Sequence, residues 1–538
     1  MPTTIWQPIN NNEVVFRLPN EHKFTQIYFF ASEGDTSVDG YHLGVKDLEI
    51  LGSNDNQNYE HLATHSADVI YQYSFISGSY DYEYIKIIST NAYDALAEIG
   101  FYNQETKQFL NVEVEDENNK ALIDEQQYLT AYPTYYEQSY FDEIYHVRNA
   151  DEVAHGKYMY ATVHPLLGTN IIALFISLFG LSPFVYRLPG VLFGIGMIPF
   201  LYGIAKILLK DSKFSFITTA LFTFDFMHIT TSRIGTLEPF SIFFIIAMFY
   251  YMLKFYDLDY FNTPIKKKLF YLFMCGLMMS CAICVKWNAC YSAIGLAFIL
   301  FMNLIKNYFK SKNDTEDRKE IYKKHTTSII LCCFVFFIFM PIAIYIFSFL
   351  PDRIWADGFS INNVIAHTKS MFSYHSQLNA THPYSSTWYQ WLLDIRPLWY
   401  ALGTDAEGYA HTIACFSHPL FTWVGLPCLF YTIYRIFRGD EVAALIFIGY
   451  FTALMPWIIF VNRIVFAYHF YPIAVFNALL IGYTFYSLYQ KEILPMKVIH
   501  IFMIVYLIIF IIYLPITCGF GTSDAYRHIL QLLESWTF

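Results

Sequence analysis

Residues 327–350 read TSIILCCFVFFIFMPIAIYIFSFL, a stretch of 24 residues without a charged side chain. A helix needs about 20 mostly apolar residues to cross the hydrocarbon core of a bilayer, so this stretch is long enough to span a membrane. Similar apolar runs follow one another from about residue 171, separated by short polar gaps. The chain is 55% hydrophobic and 15% charged, whereas soluble domains carry about 25% charged residues. The sequence therefore predicts a multi-pass α-helical membrane protein.

The hydropathy pattern predicts about ten spans in this chain. We place them near residues 184–206, 214–231, 238–256, 269–286, 288–306, 327–350, 412–434, 442–461, 465–489 and 497–517. The run over 269–306 leaves two arrangements open, one kinked hairpin or two full spans. Three parts are predicted: a polar head over 1–115, a linker with the first external loop over 116–183, and a membrane domain over 184–538 with an external loop over 351–411.

Basic residues are distributed unevenly between the loops. Alternate loops hold eighteen Lys and Arg residues in one set and seven in the other. Cytoplasmic loops of membrane proteins carry an excess of Lys and Arg, so the larger set is predicted to be cytoplasmic. The smaller set consists of Arg233, Lys286, Arg353, Lys369, Arg396, Arg463 and Arg527. The head and the active site are then expected to be extracytoplasmic on a multi-pass cell-membrane protein.

An outward-facing head has to cross the membrane, yet Met1 opens directly onto polar sequence. We therefore expect a transmembrane helix to precede the present first residue. The net charge of −11 is the opposite of the basic surface that nucleic-acid binding requires. The lipid bilayer is an expected partner and nucleic acid is not.

The polar head has a β-type pattern, in which aromatic and β-branched segments alternate with turn formers. The segments lie at 23–31, 48–52, 69–76 and 84–89, and the turn clusters at 32–39, 53–58 and 77–81. This alternation predicts a small β-sandwich. The stretches FFASEGDTSVDGYHLGVKDLEILGSNDNQNYEHL, 29–62, and YDYEYIKIISTNAYDALAEIGFYN, 80–103, resemble a discoidin-type, carbohydrate-binding jelly roll. Glycan binding and a plain spacer role both stay open for this head.

Two adjacent carboxylates, Asp142 and Glu143, stand in the segment SYFDEIYHVRNADEVAHGKYMYATVHPLLG, 139–168. Neighbouring carboxylates repel each other, which tends to raise one of the two pKa values. A carboxylate with a raised pKa can accept the proton of a hydroxyl, so the pair is a candidate general base. Solvated acidic pairs are common as well, and His164 before Pro165 by itself indicates only a turn.

Cations stand at the predicted outer ends of two spans. Arg233 lies in FDFMHITTSRIGTLEPF, 224–240, and Lys286 lies in ICVKWNACY, 283–291. Ionisable residues at membrane depth are functional candidates, and a cation at the outer interface suits a phosphate group. Snorkelling of the long side chain towards water is the alternative for both residues.

The predicted outer loop contains MFSYHSQLNATHPYSSTWYQWLLDIRPLWY, 371–400. Its candidate binding residues are His375, His382, Trp391 and Arg396. Aromatic faces suit sugar rings, whereas His and Arg side chains suit phosphate. The Trp residues also fit an interfacial aromatic belt. The segment NRIVFAYHFYP, 462–472, adds Arg463 at the outer end of the next span.

Together these motifs resemble the protein O-mannosyltransferases, glycosyltransferase family 39 of the GT-C fold, and the bacterial members in particular. The resemblance covers roughly 137–517 and keeps the family's motif order. YFDE at 140–143 is similar to the Asp-Glu motif of the first external loop, and VKWNACY at 285–291 is similar to the KW-x-G stretch. The longest match is YHSQLNATHPYSSTWYQWLLDIRPLWY at 374–400.

The match has departures at single positions. HPLLG is similar to the family's HPPLGK, with Leu166 at the second Pro and Thr169 at the Lys. SRIGTLEPF is similar to the SR-x4-D stretch, with Glu238 in place of the usual Asp. These departures concern the part of the pattern that bears on the sugar donor.

The resemblance implies an inverting transfer of mannose, or a related hexose, from a polyprenyl-phosphate carrier to Ser or Thr hydroxyls of proteins. It implies that Asp142 is the catalytic base and that Glu143 supports it. The residues implied in binding the carrier phosphate are Arg233, Lys286, His382, Arg396 and Arg463. No cofactor is firmly implied, although the carboxylates leave room for a divalent metal. The departing phosphate already bears charge, so cations suit it better than an added acid.

Two other functions stay open at this point. A GT-C transferase that decorates a cell-wall polymer or glycolipid would carry the same donor motifs. A transporter or flippase would instead show paired repeats and broken helices near the bilayer midplane. The ionisable residues gather near the outer ends of the predicted spans, and no such repeat is visible in the sequence, which favours the transferases.

Overall fold

The computed structural model of the protein describes ten stretches of the chain. They are residues 1–8, 12–33, 45–67, 69–90, 94–160, 163–312, 314–351, 359–377, 381–459 and 464–538. Within them the chain forms a β-sheet head followed by a helical body, which confirms the predicted architecture.

In the described residues the head consists of nine strands in two antiparallel sheets. The strands are β1 Glu13–Arg17, β2 Lys23–Ala31, β3 Val45–Ser53, β4 Glu60–Ala67, β5 Tyr73–Asp81, β6 Tyr84–Ile88, β7 Leu96–Asn103, β8 Gln108–Phe109 and β9 Glu113–Val114. One sheet has the order β4-β3-β6-β1-β9 and the other β5-β2-β7-β8. Phe16 on β1 and Phe101 on β7 are fully buried, and their ring centroids lie 5.6 Å apart. The two sheets therefore enclose one apolar core, as a β-sandwich does.

Two predicted elements of the head are wrong in detail. The strand predicted at 69–76 begins only at Tyr73, because residues 69–72 turn towards the helical body. The turn predicted at 77–81 is the second half of β5, which pairs with β2 along its length. β5 is an edge strand with largely solvated side chains, so it accepts Ser, Gly and Asp where a central strand needs apolar residues. The turn predicted at 53–58 is confirmed between β3 and β4.

The helical body follows a short linker. Its α-helices are α1 Glu143–Ala154, α2 Leu167–Phe179, α3 Pro183–Leu209, α4 Ser212–Thr223, α5 Phe226–Ser232, α6 Glu238–Tyr256, α7 Ile265–Val285, α8 Ala289–Lys312, α9 Glu316–Phe334, α10 Met340–Ser348, α11 Ile361–Gln377, α12 Trp388–Leu392, α13 Pro419–Phe437, α14 Glu441–Ile459, α15 Tyr471–Gln490, α16 Met496–Cys518 and α17 Asp524–Leu530. The π-helical turn Val335–Phe339 joins α9 to α10. Three further strands, β10 Leu398–Thr404, β11 Ala410–Cys415 and β12 Gly521–Thr522, form a small sheet beside the helices.

Nine helices of the described residues are long and apolar enough to cross a membrane, counting α9 and α10 as one. The span predicted at 214–231 is not one continuous helix, because the chain breaks there into α4 and α5. Asp225 has an extended backbone between these two helices. Its buried carboxylate accepts the backbone N–H of His418 at 2.7 Å, which stabilises the break.

Two other span boundaries differ from the sequence prediction. The span predicted from residue 412 begins at Pro419, because the preceding residues form β11 and pair with β10 and β12. The alternatives over 269–306 resolve into two separate helices, α7 and α8. Lys286 lies at the break between them in extended conformation.

The spans bring chemically active residues to one end of the bundle. α6 begins and α7 ends at the same level, because these neighbouring helices run antiparallel. Glu238 at the start of α6 and Lys286 after α7 therefore meet. The loops at the opposite ends of these spans are rich in Lys, and Lys210 there pairs with Asp257 at 2.6 Å.

Candidate active site

A cavity of about 570 Å³ lies at this end of the bundle, between α1, the end of α7, α11 and the residues before α15. Its polar and aromatic lining consists of Asp142, Tyr145, His146, Asn149, Tyr160, His164, Thr169, Lys286, Ser370, Tyr374, His375, Phe466, Tyr468 and His469. Ligand sites in proteins commonly measure about 300–1,000 Å³, so this volume suits a small-molecule ligand.

Asp142 immediately precedes α1 at the N-cap position, but its side chain makes no capping hydrogen bond. Its backbone carbonyl accepts the N–H groups of Tyr145 and His146, each at 3.1 Å. The carboxylate is left to line the cavity. Burial and, to a smaller extent, the nearby Glu238 carboxylate raise the pKa of Asp142 to about 7, although Lys286 opposes both effects. A carboxylate with this pKa matches the demands on a general base near neutral pH.

The backbone before Asp142 is strained. Phe141 has φ 51°, in the left-handed region that bulky side chains rarely adopt. Such a conformation costs about 1–3 kcal/mol and persists only where the surroundings hold it. The Phe141 ring stacks on Tyr400 with centroids 4.4 Å apart and meets Tyr468 edge to face at 6.2 Å. This aromatic packing fixes the direction in which the side chain of the next residue, Asp142, projects from the backbone.

Glu238 and Lys286 form an ion pair beside the cavity. Their side chains are 13% and 14% exposed, so solvent screens the pair only weakly. The Lys286 ammonium also lies 5.5 Å from the ring centroid of Tyr468. Lys286 is thus held at the cavity edge with N–H groups available for a second anion.

Three imidazole rings form a row along the cavity wall. The His146 and His164 centroids lie 5.8 Å apart, and those of His164 and His375 lie 5.2 Å apart. Burial lowers the pKa of His146 to about 4, so this ring is neutral at pH 7. His375 Nε2 lies 2.6 Å from the Val163 carbonyl, which orients that ring as a donor at this nitrogen.

Glu143 is turned away from the cavity. Its carboxylate forms a two-pronged ion pair with Arg187 of α3, at 2.7 Å for each prong. It also accepts the backbone N–H groups of Gly235 at 2.9 Å and Tyr140 at 3.1 Å. Because Arg187 neutralises Glu143, the raised pKa of Asp142 comes from burial and Glu238 and not from the adjacent carboxylate that the sequence suggested.

The other predicted binding residues divide into two groups. His164, Lys286 and His375 line the cavity. Arg233 and Trp391 are not among the lining residues in the described part of the chain. The Arg233 guanidinium donates to the Cys518 carbonyl at 3.4 Å, and Trp391 is 3% exposed and stacks behind His469 with centroids 5.9 Å apart.

The remaining predicted binding residues are His382, Arg396 and Arg463. His382 is exposed, and its ring meets Phe466 edge to face at 5.2 Å. Arg396 is exposed and donates to the Pro383 carbonyl. Neither residue lines the cavity in the described part of the chain. Arg463 lies outside the described residues.

Two residues that the sequence prediction missed are central to this geometry. His146 stands one helical turn after Asp142, and the spacing of four residues in a helix was a usable signal for a shared face. Arg187 lies inside an apolar run, where an ionisable residue is a functional candidate by default. Candidate metal ligands lie away from the cavity, where Glu98 of the head and Asp124 and Glu125 of the linker cluster closely enough to hold an ion.

Comparison with known proteins places the chain in a family. The family model described as dolichyl-phosphate-mannose-protein mannosyltransferase matches residues 121–355. The model described as the C-terminal four transmembrane region of protein O-mannosyltransferase matches residues 360–536. The chain belongs to the protein O-mannosyltransferase family. It is therefore a membrane glycosyltransferase, as the motifs indicated, and the two models together extend from the linker after the head almost to the C-terminus.

Curated relatives of the family are similar over most of their length. A polyprenol-phosphate-mannose–protein mannosyltransferase of Mycolicibacterium smegmatis is 21% identical over 468 residues, which is 75% of this chain and 87% of that protein. The protein of the same name from Mycobacterium tuberculosis is 23% identical over 403 residues, 65% of this chain and 74% of that protein.

A solved structure shares the fold. The S. cerevisiae protein O-mannosyltransferase Pmt1-Pmt2 complex bound to the sugar donor matches with a TM-score of 0.63 at 11% identity. The match covers 74% of this chain and 89% of that chain. The predicted GT-C-type helical fold is confirmed, whereas the discoidin-like character of the head stays a prediction.

Proposed function

We propose that the chain transfers mannose from a polyprenyl-phosphate carrier to Ser or Thr hydroxyls of proteins, on the extracytoplasmic side of the membrane. The observation that carries this proposal is the carboxylate of Asp142, which faces a cavity together with Lys286 and a row of imidazoles. The family membership and the names of the curated relatives support the donor and the protein acceptor.

The reaction that this arrangement favours is a single displacement. The acceptor hydroxyl oxygen attacks the anomeric carbon while Asp142 takes its proton. The bond from that carbon to the phosphate oxygen breaks, and its electron pair leaves with the carrier phosphate. Lys286 stabilises the negative charge that develops on the phosphate. With one base and no covalent intermediate, the configuration at the anomeric carbon is inverted.

The aromatic lining supports a sugar as the group that is transferred. Tyr145, Tyr374 and Tyr468 line the same cavity as Asp142. Aromatic side chains offer apolar ring faces with a polar tip, which suits the alternating C–H and O–H groups of a hexose. Asn149 adds an amide that can accept and donate hydrogen bonds at once.

The extracytoplasmic orientation rests on the distribution of charge between the two ends of the bundle. The cavity lies at the end with few basic residues, and the Lys-rich loops lie at the other. The head is packed against the cavity end, through residues 69–73 and the start of α1. We therefore propose that the head and the cavity share the outer side.

The proposal is tested with the full chain in membranes given polyprenyl-phosphate mannose with a labelled sugar. We expect label on a Ser/Thr-containing peptide and none on the same peptide with every Ser and Thr replaced by Ala. In sealed right-side-out vesicles, an impermeant peptide supplied outside should be labelled. Transfer to a wall polymer but not to peptide would instead favour a polymer-decorating transferase, and labelling only after permeabilisation would refute the orientation.

The rate of transfer is expected to depend on pH through Asp142. The base must be ionised, and its pKa is raised to about 7, so the rate should fall as the pH drops through that value. Glu238→Gln removes a neighbouring negative charge and frees Lys286, which lowers the pKa of Asp142. The fall in rate on the acidic side of the pH profile, its acidic limb, should then move to lower pH. Lys286→Met removes the positive charge that lowers the pKa of Asp142, so the acidic limb should move to higher pH. The donor KM should also rise by about tenfold, because a charged hydrogen bond to phosphate is lost.

These shifts are measured as kcat/KM between pH 5 and 9, with Lys210→Met as the control. Lys210 pairs with Asp257 at the opposite end of the bundle. Acidic limbs that coincide in wild type and both variants would show that Asp142 does not govern the profile.

We also infer that the head binds glycan. An open cavity of about 380 Å³ at the turn between β3 and β4 is lined in part by Tyr59, Tyr82, Asp55 and Glu60. The Asp55 carboxylate accepts backbone N–H groups of the same turn at 2.8 and 2.9 Å, so the turn is preorganised. Tyr59→Ala is expected to weaken binding of the full chain to a glycan array while peptide mannosylation is unchanged. A wild-type chain that binds no glycan would favour the spacer role.

A further inference from the structure

The helix α11, Ile361–Gln377, has two apolar faces. The first face packs against the rest of the protein. Val364 is 5% exposed and packs in one cluster with Phe349, and Met371 is 1% exposed. Met371 also lines the cavity, together with Tyr374 of the same helix. This face of α11 therefore forms part of the cavity wall.

The second apolar face of α11 is exposed. Ile361, Ile365 and Phe372 are 50%, 48% and 67% exposed. Successive helix residues are about 100° apart, so these three side chains lie within about 40° of one another around the helix axis. We call these three residues the outer stripe of α11. Single exposed apolar residues are ordinary, whereas a row of them on one side of a helix marks a surface that a partner or a membrane covers.

Contacts with α10 place α11 at the end of a membrane span. The span formed by α9 and α10 extends over Glu316–Ser348. The Tyr345 hydroxyl and Thr368 Oγ1 lie 3.0 Å apart. The Phe349 ring meets the His367 ring edge to face, with centroids 5.1 Å apart. α11 therefore packs beside the last turn of the span, at the level where a span leaves the hydrocarbon core of a bilayer.

The outer stripe is continuous with this contact to the span. Thr368, which contacts Tyr345, lies three residues after Ile365 and four residues before Phe372, and residues at these spacings are neighbours on a helix surface. Phe347, in the last turn of the span, is itself 64% exposed. The apolar surface of the span thus extends onto α11 without a break at their contact.

Polar residues border the outer stripe on the side away from Thr368. They include Asn362 and Lys369, which are both exposed. A Lys side chain can lay its methylene groups on an apolar surface and extend its ammonium to lipid phosphates. An apolar face bordered by polar and basic residues is the pattern of a helix that lies in a membrane interface.

We propose that α11 is an interfacial helix, whose outer stripe lies among the acyl chains of the phospholipid leaflet on the cavity side of the membrane. Met371 and Tyr374 of the same helix line the cavity. One wall of the cavity is then separated from the lipid only by the diameter of a helix, about 10 Å. The lipid contact does not depend on which reaction the cavity performs.

Photocrosslinking of the full chain tests this proposal in vesicles of phosphatidylethanolamine and phosphatidylglycerol. A benzophenone-bearing amino acid, which reacts with nearby C–H bonds on irradiation, takes the place of Phe372 or, in a second variant, of Ile365. Ala366 is the matched control, because it is exposed on the same helix but lies about 120° from the centre of the outer stripe. Phe339, 63% exposed in the middle of the span, is the positive control.

We expect about tenfold more phospholipid adduct at positions 372 and 365 than at 366, because the side of an interfacial helix that faces water meets few acyl chains. Position 339 should give an adduct as well. Equal yields at 372 and 366 would overturn the proposal, and so would no adduct at 372 and 365 while 339 reacts. A crosslink from 372 to a second copy of the chain, without lipid adduct, would assign the stripe to a protein interface instead. Failure of mannosyl transfer would refute the proposed function and leave these yields unchanged.

Discussion

Replacement of Asp142 by Asn is expected to lower kcat for mannosyl transfer by about 10²–10⁴-fold, the usual contribution of a general base. The Asn side chain has nearly the same shape but cannot accept the hydroxyl proton. Donor KM should stay close to the wild-type value, because Lys286 and the imidazole row of the cavity are untouched. Initial rates with saturating peptide and varied donor separate the two parameters.

The matched control for this change is Asp317→Asn. Asp317 is an exposed carboxylate near the start of α9, far along the chain from every residue that lines the cavity. Its substitution should leave kcat unchanged. If Asp142→Asn retained wild-type kcat while Asp317→Asn did the same, another group would have to be the base.

Glu143→Ala is expected to destabilise the protein by about 3–5 kcal/mol, because it leaves the Arg187 charge buried without its partner. Glu143 is fully buried and the Arg187 side chain is 12% exposed, so water cannot replace the lost ion pair. The Gly235 N–H loses its acceptor as well. Thermal unfolding in detergent should show a large fall in the midpoint, together with low yield.

A double-mutant cycle distinguishes this structural role from a catalytic one. Glu143→Ala combined with Arg187→Ala should cost clearly less than the sum of the single changes, because both charges are then gone. The exposed pair Lys120–Glu117 provides the comparison, with an expected coupling of about 0–1 kcal/mol. A Glu143→Gln enzyme of wild-type stability but without activity would contradict the structural role.

The motif that indicates the family and the carboxylate that we propose as the base could both be found without a structure. Asp142 could be found because the Asp-Glu pair stands at a fixed place before the first long span. The role of Glu143 could not be found in this way, because Arg187 lies 44 residues further along the chain. Sequence adjacency suggested two cooperating carboxylates, whereas the backbone turns them to opposite sides.

The candidates for phosphate binding also show what the sequence can predict and what only the fold decides. Lys286, His164 and His375 could be chosen by residue type and position, and they line the cavity. Arg233 satisfied the same criteria, yet it is not among the described residues that line the cavity, and its guanidinium donates to the Cys518 carbonyl. Which cation is left for a ligand depends on which carbonyls and carboxylates the fold brings nearby.

The sequence alone determined the membrane architecture, the β-type head and the family of this protein, because hydropathy, periodicity and motif order are properties of the linear chain. Only the tertiary structure decided the break at Asp225, the environment of Asp142 and the packing of the head against α1. These features depend on burial and on charges brought together from distant segments. The pKa of a carboxylate is set by such neighbours in space, which a linear pattern does not contain.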